Sequence, residues 1–230
     1  MPWQLPLGVG IHDDATFASF LPGDNAGAIA ALKLQLQRTD EPLVYLWGNE
    51  ETGRSHLLQA ACHDASDQGM RSLYVPLQQL GHFPPLMLED TEHLDLLALD
   101  DIDVVMGRKR WEEGLFHCFN RMRDAGKRMV VSAPCAPRQL DVKLPDLASR
   151  LGWGMTFHLS PPTDEQRRDA LILRAAMRGM QLPQEVARYI LHRGPRRLSE
   201  LFEVLDRLDM ASLSAKRKLT IPFVREALEW

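Results

Sequence analysis

Gly48-Asn49-Glu50-Glu51-Thr52-Gly53-Arg54-Ser55 is the stretch of this 230-residue chain whose residue types and spacing most clearly do chemistry. It has the spacing of the phosphate-binding loop G-x-x-x-x-G-K-[ST], with Arg54 where lysine is usual. The glycines let backbone N–H groups wrap a phosphate chain, and the helix that follows adds positive potential at its N-terminus. Arg54 reaches phosphate oxygens, and the Ser55 hydroxyl suits Mg²⁺. Gly48, Thr52, Gly53, Arg54, Ser55 and His56 are therefore the expected nucleotide-binding residues. Two features argue against fast turnover. The wide, planar guanidinium of Arg54 does not crowd the β- and γ-phosphates as an ammonium does. Glu50 and Glu51 put negative charge beside a polyanion. ADP is expected to bind at least as well as ATP, with at most weak intrinsic ATP hydrolysis.

A second motif is acidic. Leu96-Leu97-Ala98-Leu99 runs into Asp100-Asp101. Alone, two acids after a strand make a solvated loop. At this distance from a phosphate loop, Asp100 is the expected Mg²⁺ ligand, directly or through water, and Asp101 the group that polarises an attacking water. Ser132 ends another apolar run and reads either as a polar sensor near a γ-phosphate or as a plain strand-end hydroxyl.

These residues need a parallel sheet to bring them together. Residues 42–47 read as a buried strand, and 55–68 as a helix stopped by Gly69. Residues 73–75, 94–99, 129–131 and 155–159 read as further strands. Between them, 110–125 places Trp111, Leu115, Cys118, Phe119 and Met122 on one helical face, closed by Gly126. Strands separated by helices predict a parallel sheet covered on both sides. Past Pro161-Pro162 the pattern turns helical. Thr163 and Gln166 form a capping box for a helix ending at Gly179. A helix follows Pro183, a third carries Leu198, Leu201, Phe202, Leu205 and Leu208, and a short last one starts at Thr220. The predicted architecture is a flexible peptide (1–10), an α/β parallel-sheet P-loop body (11–160) and a small all-helical lid (161–230).

Leu144-Pro145-Asp146-Leu147-Ala148-Ser149-Arg150-Leu151-Gly152-Trp153-Gly154, with Thr16-Phe17-Ala18-Ser19-Phe20 and the phosphate-loop strand, resembles the AAA+ module of the DnaA replication-initiator family. In that family the arginine of the Ser-Arg-Leu/Phe-Gly-Trp-Gly stretch is an arginine finger. The resemblance therefore makes Arg150 a catalytic group acting in trans, where an isolated arginine would read as a salt-bridged helix end. DnaA proteins continue past the lid into a DNA-binding helix-turn-helix domain, whereas this sequence stops at Trp230. With Gln4-Leu5-Pro6-Leu7 near its start, it resembles the family of DnaA-homologous regulatory inactivators over essentially its whole length. Members of that family bind ADP, dock on the DNA-loaded sliding clamp (the beta subunit of DNA polymerase III) and stimulate ATP hydrolysis by DnaA. The resemblance implies a negative regulator of replication initiation with those cofactors and partners, and an adenine site between body and lid near residues 16–25. Gln4, Leu5 and Leu7 are the expected clamp-binding residues: an amide to fix orientation and two apolar anchors on a backbone held extended by Pro6. AAA+ lids usually carry a sensor arginine early in the third lid helix. That position here holds Ser199, and Arg196 and Arg197, a turn or less upstream, are the candidates to replace it in the nucleotide site.

Charge narrows the choice. The chain carries −4 overall, and residues 1–160 hold 14 Lys and Arg against 21 Asp and Glu, residues 161–230 13 against 10. An acidic body does not suit a protein built to grip DNA phosphates, so DNA is expected to be met only through the clamp. The alternative function, a helicase-loader-like or transposition-helper ATPase on single-stranded DNA, needs a basic track. A small P-loop kinase gives no reason for the Arg150 stretch or the helical lid. Three cysteines without close spacing argue against a disulfide framework or zinc site and for a reducing cytoplasm. The first residues lack a basic n-region, and no apolar run approaches membrane-spanning length. A homo-oligomer is a further possible assembly.

Overall fold

The structure, a computed structural model, describes residues 14–37 and 42–230. The expected clamp-binding residues Gln4, Leu5 and Leu7 lie outside the described residues. The chain divides into two compact units, one up to Pro161 and one from Pro162.

The first unit is built on five parallel strands, β1 (Leu43–Trp47), β2 (Ser72–Pro76), β3 (Leu96–Asp100), β4 (Arg128–Ala133) and β5 (Met155–His158), in the order β2-β3-β4-β1-β5. Successive strand residues point to opposite faces, and the apolar runs divide accordingly. Val44, Leu46, Leu96, Ala98 and Val130 pack against α1 (Ala26–Gln37) and α2 (Arg54–Asp67) through Leu32, Leu36, Leu57 and Leu58. Tyr45, Leu97, Leu99, Met129 and Val131 share the other core with Leu77 and Leu80 of the short α3 (Leu77–Leu80), with α4 (Lys109–Asp124) and with α5 (Pro145–Leu151). Burial on both faces explains why these strands read as unbroken apolar runs rather than alternating ones.

Helix α1 is absent from the sequence reading. Its run Ala26-Gly27-Ala28-Ile29-Ala30-Ala31 lacks a polar stripe, and no side chain caps the short 3₁₀ turn (Gly23–Asn25) that leads into it. Tertiary contacts hold it: the buried Gln35 side chain donates to the Met129 carbonyl at 3.0 Å. A buried carboxylate, Glu112 of α4, accepts hydrogen bonds from the backbone N–H groups of Gly107, Lys143 and Leu144 at 2.7–3.0 Å. It fastens the segment that leads into α5.

The second unit packs α6 (Asp164–Met177), α7 (Gln184–Arg193), α8 (Leu198–Ala215) and α9 (Ile221–Leu228) around Leu171, Ile190, Leu201, Leu205, Leu208, Phe223 and Val224. Its first helix starts where the capping box predicts: Gln166 N–H donates to Thr163 Oγ1 at 3.2 Å, and Thr163 N–H donates to Gln166 Oε1 at 2.8 Å. An α/β parallel-sheet body followed by an all-helical unit is the predicted fold class. Among the described residues no helix is long and apolar enough to cross a membrane.

Candidate nucleotide-binding site

Because every strand runs the same way, the carboxyl ends of β1, β3 and β4 lie along one edge of the sheet, where open α/β sheets hold ligands. Gly48 follows β1, Asp100 ends β3 and Ser132 lies one residue from the end of β4. The strand order thus brings together residues up to 84 positions apart in sequence.

The loop between β1 and α2 turns on Gly53, whose φ of 85° lies in the left-handed region. A Cβ there would also run into the ring of Phe20. The 16–20 segment therefore braces the loop, and His56 is its second attachment. His56 Nε2 lies 2.9 Å from the Thr16 carbonyl oxygen and 3.2 Å from Ser19 Oγ. Burial pushes its pKa down, favouring the neutral ring. His56, expected among the nucleotide ligands, spends its side chain on this brace. Thr52 turns inward as well, its hydroxyl donating to the Asn49 carbonyl at 2.9 Å.

Arg54 folds back across the loop. It donates to the Gly48 carbonyl at 2.8 Å and to Asp101 Oδ1 at 2.9 Å. Asp100 is buried, with the Tyr74 hydroxyl donating to Oδ2 at 2.7 Å and the Ser132 hydroxyl to Oδ1. Ser132 Oγ in turn accepts the Asp101 N–H at 2.9 Å. The hydroxyl read as a sensor thus spends its bonds organising the acidic pair. Burial, joined by the Asp100 charge, pushes Asp101 up to about 6 against the pull of Arg54, with Asp103 and Glu50 adding to the rise. The donor set fits a Mg²⁺–nucleotide: loop amides and Arg54 for phosphate oxygens, the Ser55 hydroxyl and Asp100 for the cation.

Two contributors were missed in the sequence. Tyr74 was read only as a strand residue, yet its hydroxyl also meets Ser55 and Gln59. A tyrosine inside an apolar strand is the signal, since its buried hydroxyl must find a partner. Phe20 was noted without a role. Arg196 and Arg197 precede α8 as exposed residues of the second unit, and Ser199 is exposed in its first turn.

Arg150 lies elsewhere in the first unit. It lies in the last turn of α5, beside a cavity of about 250 Å³ that is also lined by Pro42, Leu43, Met129 and Gly154. These neighbours mark the amino ends of β1, β4 and β5, whereas the phosphate loop leaves the carboxyl end of β1. A five-residue strand is roughly 16 Å long, so Arg150 and the chain's own phosphate loop sit at opposite edges of the sheet.

A phosphate loop behind a central strand, an acid-tipped neighbouring strand and a helical C-terminal unit define a P-loop module of the AAA+ class. Solved structures share this fold. Domain III of DnaA from Thermotoga maritima matches with a TM-score of 0.80 at 22% identity, over 96% of this chain and 98% of that one. AMPPCP-bound DnaA from Aquifex aeolicus gives 0.73 at 22% identity, over 89% and 68%. The RuvB Holliday junction branch migration motor of Thermotoga maritima gives 0.69 at 16% identity, over 94% and 71%. Two family models match successive segments, the bacterial DnaA ATPase domain over residues 86–158 and the Hda lid domain over residues 164–228. The chain is a DnaA-related AAA+ protein with an Hda-type lid.

Proposed function

We propose that this protein is an ADP-binding regulator that docks on the DNA-loaded sliding clamp and stimulates ATP hydrolysis by DnaA, limiting re-initiation. The observation that carries the reading is the position of Arg150, at the edge of the sheet opposite its own phosphate loop. An arginine there serves a neighbouring subunit. Its planar fork spreads over the charge that develops on the partner's γ-phosphoryl oxygens. Such fingers are worth about 10³–10⁵ in rate in GTPase systems.

The chain's own site supports binding more than turnover. With nucleotide bound, Arg54 would turn from Asp101 to the phosphates, and Ser55 and Asp100 would hold Mg²⁺. When bound, the cation neutralises phosphate charge and fixes the phosphate chain. The wide guanidinium of Arg54 and the negative charges of Glu50 and Glu51 beside the phosphates keep turnover through Asp101 weak. Gln4, Leu5 and Leu7 are assigned to the clamp, Arg196 or Arg197 to nucleotide sensing.

The test is phosphate release from ATP-bound DnaA with clamp-loaded DNA. Arg150→Ala is expected to keep ADP and clamp binding and to lose stimulation. Arg150→Lys is expected to fail as well, because an ammonium cannot reproduce the fork. Gln4→Ala, or Leu5→Ala with Leu7→Ala, is expected to abolish clamp binding while ADP binding and thermal stability persist. Full stimulation by Arg150→Ala would overturn the trans mechanism, and unchanged clamp affinity in the peptide variants would overturn the docking role.

A further inference from the structure

We propose that Trp153 is the positioning residue for Arg150, holding its guanidinium extended and charged for the partner's phosphate; the inference rests on the trans-acting role given to Arg150 above. Trp153 is 61% exposed, unusual for an indole. The Arg150 guanidinium lies 4.0 Å from the centroid of its ring, and that of Arg123 lies 5.8 Å away. A guanidinium over an indole face is held by the ring quadrupole with its charge intact. A carboxylate would hold it too, but would compete with the phosphate that the charge is meant to meet. The neighbouring cations are treated differently: Arg123 pairs with Asp124 and Lys127 with Asp95. No carboxylate among the described residues is paired with Arg150.

The turn that carries the ring is itself anchored. The backbone N–H of Trp153 donates to the Arg150 carbonyl at 3.1 Å, closing the turn after α5. Gly154 packs so tightly on Leu43 that a Cβ would collide with the Leu43 carbonyl and side chain. The turn that carries the indole is thereby fixed against the start of β1. Without the ring, a long side chain at the end of a seven-residue helix spreads over many rotamers, few of them aimed at a partner. The loss falls on the stimulated rate rather than on how tightly the partner is held.

The experiment measures DnaA phosphate release on clamp-loaded DNA as this protein is titrated. Trp153→Ala is expected to lower the maximal stimulated rate about three- to fivefold, the scale of an exposed cation–π contact. The half-saturating concentration is expected to stay unchanged. Trp153→Phe retains an aromatic face and is expected to recover most of the rate. A second measurement needs no DnaA: the Nε–Hε NMR resonance of Arg150, assigned by its loss in Arg150→Lys, is displaced by the indole ring current. It is expected to return to the position of a free arginine in Trp153→Ala. Full stimulation by Trp153→Ala, with Arg150→Ala inactive, would overturn the positioning role and leave the finger standing. Full stimulation by Arg150→Ala would overturn both. A raised half-saturating concentration, or a phenylalanine variant as impaired as alanine, would also overturn it, by making the indole a direct partner contact. Thermal melting checks that the variants are folded, as the exposure of Trp153 leads one to expect.

Discussion

Asp101 carries the clearest consequence at the scale of single residues. Burial and the Asp100 charge raise it from 3.8 to about 6, against the pull of Arg54. The folded chain therefore keeps this proton up to about pH 6, whereas the unfolded chain releases it near pH 4. Between those values the unfolded state binds fewer protons, so Asp101 lowers stability as pH rises from about 4 to about 6, and by a constant amount above that. Asp101→Asn mimics the protonated group and still offers Arg54 an oxygen. It is expected to match the parent near pH 4 and to exceed it by about 2 kcal/mol near pH 7.5, read from urea denaturation at both values. Equal stability at both would show that the carboxylate is not strained by burial.

Among the elements, α5 is too short to hold itself: seven residues make a marginal helix in isolation. Its place depends on Glu112, which receives three backbone N–H groups, two of them from residues just before the helix. Glu112→Ala removes the acceptor and leaves three partly buried N–H groups without it. We expect a loss of about 3 kcal/mol, and less for Glu112→Gln, which keeps one oxygen. Urea denaturation measures the loss. Amide hydrogen exchange over residues 143–151 is expected to accelerate in the alanine variant, because the start of α5 comes loose. Wild-type protection there would mean that packing through Leu147 and Leu151 suffices. Arg150 stands on this helix, so the same variant connects a buried acid on α4 to the proposed finger.

At the scale of the whole molecule the two units have separate cores. The second unit gathers Leu171, Ile190, Leu201, Leu205, Leu208, Phe223 and Val224 without help from the first. Residues 162–230, expressed alone, are expected to be helical by circular dichroism and to melt cooperatively, in the size range where small domains are marginal but can fold. Thr163→Ala in that fragment is expected to cost about 1 kcal/mol through the lost cap. A fragment without a cooperative transition would show that the lid needs the body to fold.

Much of this protein was legible because its signals are contiguous. The phosphate loop occupies eight consecutive residues, Thr163 and Gln166 lie within one helical turn, and unbroken apolar runs marked the strands. Those features depend on local conformation and periodicity, which the chain carries wherever it folds. Helix α1 escaped because its small residues make no stripe, and long-range contacts from Gln35, Leu32 and Leu36 decide its place. The functional edge was decided by strand order. That order sets Arg54 against Asp101, Tyr74 against Asp100 and Ser132 between the two acids. It also puts Arg150 beyond reach of its own loop. These pairings join residues 26 to 47 positions apart. Only the packing of both sheet faces selects them, because hydrophobic burial fixes which strands are neighbours and the side chains then meet whatever the neighbouring strand presents.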